Sequence, residues 1–272
     1  MTDQYAVFGN PIEHSKSPIL HQLFAEQTEQ NMHYAKQLVA LDGFSDAVKT
    51  FIAQGGQGLN ITVPFKEQAF SIADDLSERA QKAGAVNTLA VQKDGRLYGD
   101  NTDGVGIVRD IEANHGWHIK GKNILVLGAG GAVRGVLGPL LASQPASVTV
   151  ANRTVAKAEA LAELFSNDGN IQAVGFAEIP AQDFDLIING TSASLSGNLP
   201  AINPKLISVK SHCYDMMYSQ QLTPFLQWAK EQGCEQLADG LGMLVEQAAE
   251  AFYLWRGVRP EPADVIMQLR TA

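Results

Sequence analysis

Apolar and polar positions alternate along this chain with two different periods. Short apolar runs predict strands, and apolar positions spaced three and four apart predict helices. In the first hundred residues the strand signals lie at residues 5–8, 34–38, 58–62, 85–91 and 97–99. The helix signals there begin at Ser17-Pro18 and cover residues 44–53, 67–70 and 75–83. Strands that alternate with helices predict an α/β unit.

The alternation begins again near residue 103 and predicts a second α/β unit. A helix is expected over residues 103–114, followed by a buried strand at 123–127, a glycine turn and a helix from about residue 132. Further strands are expected at residues 148–151, 184–189 and 213–215, and a helix at 154–165. Two amphipathic helices are expected at residues 241–254 and 262–269.

Composition and charge narrow the class of protein. The 272 residues are 45% apolar and 18% charged, which is typical of a globular chain of two domains. The net charge is −9 and no Lys or Arg run occurs, so we expect no nucleic-acid partner. No apolar run approaches the ~20 residues of a membrane span, so we expect no membrane partner. The two cysteines and six histidines form no ligand spacing, which predicts no metal and a cytoplasmic location.

The glycine turn carries the clearest chemistry. Residues 128–132, Gly-Ala-Gly-Gly-Ala, link a strand to a helix whose N-terminal N–H groups and dipole favour a phosphate over the turn. The usual pattern is G-x-G-x-x-G/A, and Val133 takes its third small position here. The turn alone therefore also fits a tight strand-to-helix corner.

The end of the next strand indicates which dinucleotide would bind. An NAD site places Asp or Glu there for the ribose 2′-hydroxyl, whereas an NADP site offers Arg to the 2′-phosphate. This chain has Asn152 and Arg153 at that point. A neutral amide beside a planar guanidinium suits a phosphate, so the sequence predicts an NADP site.

Polar side chains follow the predicted strands of the first half. Ser15 and Ser17 lie in the loop after the first strand and could hold a carboxylate, although Ser17 also suits the N-cap of the next helix. Asn60 and Thr62 alternate with apolar residues at the end of the third strand, where ligands bind in α/β sheets. Lys66 follows in a Pro-bounded turn, either as a proton-exchanging group near an apolar wall or as a solvated surface lysine.

Other candidates have an ordinary structural alternative as well. Asp103 begins a helix, where the dipole alone would favour an acid. Asn87 lies on a predicted strand and needs partners, which either backbone or a polyol could supply. Thr191 and Tyr218 each follow a strand end, and Gln247 is the polar residue on a mostly apolar helix.

Taken in order, these motifs resemble the shikimate dehydrogenase family. They are Ser-Lys-Ser at 15–17, Asn-x-Thr-x-Pro-x-Lys at 60–66, Gly-Ala-Val-Asn-Thr at 84–88, Asp-Asn-Thr-Asp-Gly at 100–104, the glycine turn, Asn-Arg-Thr at 152–154 and Asp-Gly-x-Gly-Met-Leu-x-x-Gln at 239–247. The resemblance runs from residue 5 to about residue 258. It implies reversible NADPH-dependent reduction of 3-dehydroshikimate to shikimate, on the route to chorismate and the aromatic amino acids.

The resemblance also implies two domains. A mostly parallel α/β substrate domain would comprise residues 1–102 together with the returning C-terminal helices in 238–272, and a Rossmann-like NADP domain would comprise residues 103–237. The expected partner is then a small molecule, shikimate or 3-dehydroshikimate. The sequence leaves the oligomeric state open between a monomer and a homodimer.

Roles for individual residues follow from the same resemblance. Lys66 and Asp103 correspond to the family's catalytic pair, and which of the two transfers the proton stays open because a close Lys–Asp pair titrates as a unit. The substrate would be bound by Ser15, Ser17, Asn60, Thr62, Asn87, Tyr218 and Gln247. The cofactor would be contacted by Gly128, Ala129, Gly130, Gly131, Ala132, Asn152, Arg153, Thr154, Lys157, Thr191, Met216, Gly240 and Met243.

The sequence leaves two alternatives open. A quinate/shikimate dehydrogenase with relaxed substrate or cofactor preference would differ in selectivity, although Asn152-Arg153 argues against a preference for NAD. A non-catalytic NADP-binding regulatory protein on the same fold should lack Lys66 or Asp103, and both are present.

Overall fold

The computed structural model describes residues 2–191 and 199–271. Its contacts divide the chain into two compact units, Met1–Gly106 with Val245–Ala272, and Ile107–Leu244. The first unit is therefore built from both ends of the chain, and the second from its middle. The domain limits derived above, residues 1–102 with 238–272 and residues 103–237, stay a prediction.

The first unit contains a mixed, mostly parallel sheet. Its strands are β1 (Asp3–Gly9), β2 (Met32–Leu38), β3 (Gly56–Ile61), β4 (Asp75–Leu76), β5 (Thr88–Val91) and β6 (Leu97–Asp100). They lie in the order β2-β1-β3-β5-β6-β4. β1 runs parallel to β2 and β3, and β4 parallel to β6, whereas β5 is antiparallel to both of its neighbours.

Helices cover this sheet and complete its core. They are α1 (Ser17–Gln27), α2 (Phe44–Ala53), α3 (Lys66–Ile72), α4 (Glu78–Ala83), α5 (Asp103–Arg109), α9 (Leu241–Arg256) and α10 (Pro262–Thr271). Late in α9, the Trp255 ring packs on the sheet and its Nε1 donates to the Leu89 carbonyl at 3.0 Å. A Cβ on Gly58 would lie 2.4 Å from that nitrogen, so only glycine leaves room for the ring.

The second unit contains a fully parallel sheet. Its strands are β7 (Asn123–Leu127), β8 (Ser147–Ala151), β9 (Ile171–Val174), β10 (Leu186–Asn189), β11 (His212–Asp215) and β12 (Gln236–Asp239). The order β12-β11-β10-β7-β8-β9 is that of a Rossmann-type sheet. Its helices include α6 (Gly131–Ala142), α7 (Val155–Leu164) and α8 (Pro224–Glu231). The expected fold class is confirmed: a mostly parallel α/β unit that the C-terminal helices rejoin, and a Rossmann-like unit.

Several local expectations are wrong. The helix expected over residues 75–83 begins only at Glu78, because the Ser77 hydroxyl accepts the Ala80 N–H as an N-cap while Asp75–Leu76 pairs with β6. Ser17 is the first residue of α1 instead of its cap, and Lys16 precedes it without a side-chain cap. Asn87, expected on a strand, lies just before β5.

The helix expected over residues 103–114 changes type partway. After α5 it continues as a π-helical turn at Asp110–Asn114, in which the His115 N–H donates to the Asp110 carbonyl. The sequence also left β9, α8 and β12 unassigned. Two of these three are short strands, the kind of element whose apolar pattern is weakest.

Candidate active site

A lysine and an aspartate from two different helix starts meet in the first unit. Lys66 is the first residue of α3 and Asp103 the first residue of α5. The Lys66 Nζ lies 2.6 Å from the Asp103 Oδ2, and the exposed fractions of the two side chains are 30% and 14%. The pair is reached by solvent without being surrounded by it. It therefore presents an ammonium and a carboxylate to the solvent, and groups of these two types can donate and accept a proton.

The Asn87 amide stands beside this pair and joins it to α9. Its Nδ2 lies 2.8 Å from the Asp103 Oδ1, 2.9 Å from the Thr102 Oγ1 and 3.4 Å from the Gln247 Oε1. Its Oδ1 accepts the Thr102 N–H at 2.9 Å and the Thr88 hydroxyl at 2.8 Å. Four residues that were expected to bind the substrate or to transfer the proton are thus close together: Lys66, Asn87, Asp103 and Gln247.

An ion-pair cluster joins the end of β6, which precedes Asp103, to α9, which carries Gln247. Arg79 donates to both carboxylate oxygens of Asp100 and, at 3.2 Å, to Glu250 on α9. Arg259 bridges Glu250 and Glu246 at 2.8 and 2.7 Å. Burial pushes the pKa of Asp100 upward, but hydrogen bonds and charge from Arg79 outweigh it and hold that pKa below its usual value. The cluster fixes the loop of Asp103 relative to the helix of Gln247.

The serine loop and the end of β3 lie close to each other at the edge of the same sheet. The Ser17 N–H donates to the Ser15 Oγ at 3.3 Å. A Cβ on Gly9 would lie 2.4 Å from the Thr62 Cγ2, so glycine at the end of β1 lets Thr62 approach the first loop. Asn60 is buried on β3 with a 6% exposed fraction and hydrogen bonds inside the protein.

The glycine turn of the second unit has the features of a phosphate cradle. Gly128 has a φ of +105°, and a Cβ there would meet the Gly190 carbonyl oxygen at 3.1 Å. A Cβ on Gly130 or Gly131 would meet no atom of residues 2–191 and 199–271 within 4 Å, so the backbone over the start of α6 is open toward this part of the chain. No side chain of the same residues caps α6, whose first N–H groups therefore suit an anion.

Val133, at the third small position of the turn, is accommodated by a glycine on the neighbouring loop. Gly190 follows β10, and a Cβ there would lie 2.4 Å from the Val133 Cγ2. The small residue that the pattern needs is present, but on the loop opposite. The turn therefore keeps its close approach despite the valine.

Cationic and neutral side chains follow β8, as an NADP site requires. Asn152 donates to the Thr154 carbonyl at 2.9 Å and stabilises the turn into α7. Arg153, Thr154 and Lys157 are exposed. No Asp or Glu occurs between residues 151 and 158. The residues present thus fit a 2′-phosphate.

The remaining cofactor candidates line the ends of β10, β11 and β12. The Asn189 Oδ1 accepts both the N–H and the hydroxyl of Thr191, at 3.1 and 2.7 Å. A Cβ on Gly240 would lie 2.2 Å from the Met216 carbonyl oxygen, so these two candidates are in close contact. Tyr218, the one substrate candidate in the second unit, has a 39% exposed fraction, and burial of the rest of its ring raises its pKa.

Sequence reasoning missed the buried polar residues behind the Lys66–Asp103 pair. Thr88 and Thr102 are fully buried and both contact Asn87. His21 and Tyr34 both contact Asn60. Thr102 could have been found from its place beside Asp103. The other three are ordinary helix and strand residues in sequence, and no local pattern marks them.

The fold and the two groups of candidate residues together indicate a class of enzyme. A Rossmann-type unit with an open glycine turn and an acid-free, cationic end of β8 is typical of NADP-binding oxidoreductases. The Lys66–Asp103 pair in the first unit adds the acid–base groups that a dehydrogenase acting on an alcohol needs.

Comparisons with known proteins give the family. The family model "Shikimate dehydrogenase substrate binding domain" matches residues 7–89, "Shikimate / quinate 5-dehydrogenase" matches residues 111–197, and "Shikimate 5'-dehydrogenase C-terminal domain" matches residues 240–270. The shikimate dehydrogenase (NADP(+)) of Cellvibrio japonicus is 58% identical over 270 residues, 99% of this chain and 98% of that protein. The chain belongs to the shikimate dehydrogenase family.

Solved structures agree with this assignment. An Ael1 enzyme from Pseudomonas putida superposes with a TM-score of 0.94 at 47% identity, over 98% of each chain. Shikimate 5-dehydrogenase from Thermus thermophilus, in complex with NADP(H) and shikimate, superposes with a TM-score of 0.87 at 34% identity, over 99% of each chain.

No helix within residues 2–191 and 199–271 is long and apolar enough to cross a membrane. The same ranges contain no group of three or more His, Cys, Asp or Glu side chains that could hold a metal ion.

Proposed function

We propose that this protein catalyses the reversible NADPH-dependent reduction of 3-dehydroshikimate to shikimate, in the biosynthesis of chorismate and the aromatic amino acids. The observation that carries the proposal is the 2.6 Å Lys66–Asp103 pair with the Asn87 amide beside it. The proposal is also supported by relatives that match 99% of this chain and are named shikimate dehydrogenase (NADP(+)). The proposed location is the cytoplasm, and the proposed assembly is a monomer or a homodimer.

The chemistry needs a proton to move as the hydride moves. NADPH, when bound, supplies the hydride. Lys66 and Asp103 then face the oxygen that gains or loses the proton, and the ammonium also stabilises negative charge that develops there. Because the two groups share a hydrogen bond, they act as one acid–base unit whose proton belongs to the pair.

The other substrate residues orient the ring. Asn87 and Gln247 present amide groups beside the Lys66–Asp103 pair, where they suit ring hydroxyls. Ser15 and Ser17 present hydroxyls at the start of α1, which suit a carboxylate. Thr62, at the end of β3, is a further proposed contact to the ring hydroxyls. Tyr218 of the second unit is a further proposed contact to the carboxylate.

The cofactor residues follow the same reasoning. The open backbone of Gly130 and Gly131 at the start of α6 suits the pyrophosphate. Arg153 and Lys157 suit the 2′-phosphate because both are exposed cations that follow β8.

The test is the oxidation of shikimate by the purified protein, followed through NADPH absorbance. Quinate and NAD⁺ serve as the parallel substrate and cofactor. We expect shikimate with NADP⁺ to give the highest kcat/KM. Efficient turnover of quinate, or a preference for NAD⁺, would replace the proposal with the relaxed quinate/shikimate enzyme.

The role of Lys66 is tested by Lys66→Ala. We expect kcat to fall by ~10²-fold or more, with a much smaller change in shikimate affinity, because acid–base catalysis is lost while the binding groups remain. The matched control is Lys49→Ala, which removes a lysine whose side chain is 76% exposed. A fully active Lys66→Ala variant would reject the assignment.

A further inference from the structure

A chain of hydrogen bonds lies behind the Lys66–Asp103 pair, inside the first unit. The Tyr34 hydroxyl donates to the Asn60 Oδ1 at 2.7 Å. The Asn60 Nδ2 donates to the Thr88 Oγ1 at 3.1 Å, and that hydroxyl donates to the Asn87 Oδ1 at 2.8 Å. The Asn87 Nδ2 donates to the Asp103 Oδ1 at 2.8 Å.

Each link in this chain determines the direction of the next one. The Asn60 Oδ1 accepts from Tyr34 and from the His21 Nε2, which lies 3.0 Å away, so the amide hydrogens of Asn60 must face Thr88. Thr88 has one hydroxyl hydrogen, and because its oxygen accepts from Asn60, that hydrogen is free for Asn87. Burial raises the pKa of Tyr34 well above its usual value, so the first donor keeps its proton.

The orientation of the Asn87 amide decides whether it helps or opposes the Asp103 carboxylate. With its oxygen held by Thr88 and by the Thr102 N–H, Asn87 turns its NH₂ group toward Asp103. With the amide reversed, an oxygen would face the carboxylate and repel it. The Thr88 hydroxyl is therefore linked to Asp103 by hydrogen bonds through one side chain, that of Asn87.

We propose that Thr88 is a positioning residue for the reaction: through Asn87 it orients Asp103 and hence Lys66, and Tyr34 at the far end of the chain supports it through Asn60. The inference rests on the proposed function. Thr88 is fully buried and Tyr34 is 9% exposed, and neither is among the residues proposed to contact a ligand. The same chain of hydrogen bonds gives Asn60 a positioning role, because its Oδ1 and its Nδ2 both form hydrogen bonds inside the protein.

The principal test compares Thr88→Val, which keeps the shape and removes the hydroxyl, with Thr88→Ser, which keeps the hydroxyl. We expect kcat for shikimate oxidation to fall about fivefold in Thr88→Val, the worth of one hydrogen bond, with KM for NADP⁺ unchanged. Thr88→Ser should recover most of the rate.

The control is Thr149→Val in the second unit. Thr149 is a fully buried strand threonine whose Oγ1 accepts one hydrogen bond from Gln172. Thr149→Val should match any loss of stability in thermal unfolding while leaving kcat unchanged. Equal kinetic losses in Thr88→Ser and Thr88→Val, or a kcat in Thr88→Val equal to that of the wild type, would overturn the positioning role.

Tyr34→Phe gives an independent measurement, also in case Thr88→Val fails to fold. We expect a smaller fall in kcat, and the double variant should be no slower than Thr88→Val, because both substitutions act through the same hydrogen-bond chain. Strictly additive losses would contradict a shared chain. A wild-type protein that does not oxidise shikimate would overturn the proposed function itself. An active wild type with an unaffected Tyr34→Phe variant would overturn only the role proposed for Tyr34 in this chain of hydrogen bonds.

Discussion

The buried histidine of α1 should make the stability of the first unit depend on pH. His21 is fully buried and stacks on Tyr34, with ring centroids 4.1 Å apart. Its Nε2 faces the Asn60 Oδ1 at 3.0 Å, while its Nδ1 has no hydrogen-bond partner within residues 2–191 and 199–271. Burial lowers the pKa of His21 from 6.5 to about 3, and the hydrogen bond to Asn60 opposes this only in part.

The sign and size of the effect follow from proton linkage. The unfolded chain takes up a proton on His21 below its ordinary pKa of 6.5, whereas the folded protein does so only below about 3. Stability is therefore complete above the ordinary pKa and is lost as the pH falls toward 3. At ~1.4 kcal/mol per unit, the free energy of unfolding should fall by about 2 kcal/mol between about pH 8 and about pH 5.

The assay is urea unfolding of the full chain and of its His21→Gln variant at both pH values. Glutamine can keep a donor toward Asn60 and carries no charge. Trp117 and Trp228 are replaced by Phe in both proteins, so that fluorescence reports Trp255, whose ring centroid lies 5.3 Å from that of His21. The difference between the proteins should change by about 2 kcal/mol in favour of the variant at about pH 5. A difference that is constant with pH would refute the reasoning, because the other titrating groups cancel.

Three further expectations concern stability and cofactor choice. Gly190→Ala would place a Cβ 2.4 Å from the Val133 Cγ2 and should destabilise the protein by about 1–3 kcal/mol in thermal unfolding; Val133→Ala in the same chain should restore most of it, and no recovery would contradict the contact. Arg79→Met would leave the buried Asp100 carboxylate unpaired and should cost about 3 kcal/mol in urea unfolding, against less than about 1 kcal/mol for the matched Arg96→Met, whose ion pair is exposed. Arg153→Ala should raise KM for NADP⁺ about tenfold with KM for NAD⁺ unchanged, and equal changes in the two constants would count against a 2′-phosphate contact.

Elements with local chemistry of their own were predictable from sequence. The strand at 123–127 and the helix at 44–53 match β7 and α2 residue for residue, because apolar runs and glycines mark both ends. The glycine turn and the Asn152-Arg153 step could be interpreted for the same reason. The pairing of Lys66 with Asp103 came from the family resemblance, since no local pattern links two positions on separate helices.

The rest depended on tertiary contacts that leave no local trace. The two-residue strand β4 exists because Asp75–Leu76 lies beside β6, and the π-helical turn at Asp110–Asn114 surrounds a carboxylate that accepts the Tyr214 hydroxyl at 2.6 Å. Thr88 and Tyr34 are common strand residues, and their hydrogen bonds appear only when the four strands β2, β1, β3 and β5 come together. Gly190 shows the same limit, because its need for glycine comes from Val133 on another element.

The assembly of the first unit from both ends of the chain has a consequence for synthesis. Trp255 contacts Leu89 and Gly58, and Arg256 pairs with Asp3, so the last part of α9 completes a sheet whose strands were made much earlier. As the chain leaves the ribosome, residues 107–244 are contiguous and can fold on emergence, while the β1–β6 sheet must wait, incomplete, for α9. Until then the face of the sheet around Tyr5 and Tyr34 lacks the cover that Trp255 provides, and we expect the nascent protein to be most open to aggregation and to chaperones in that interval.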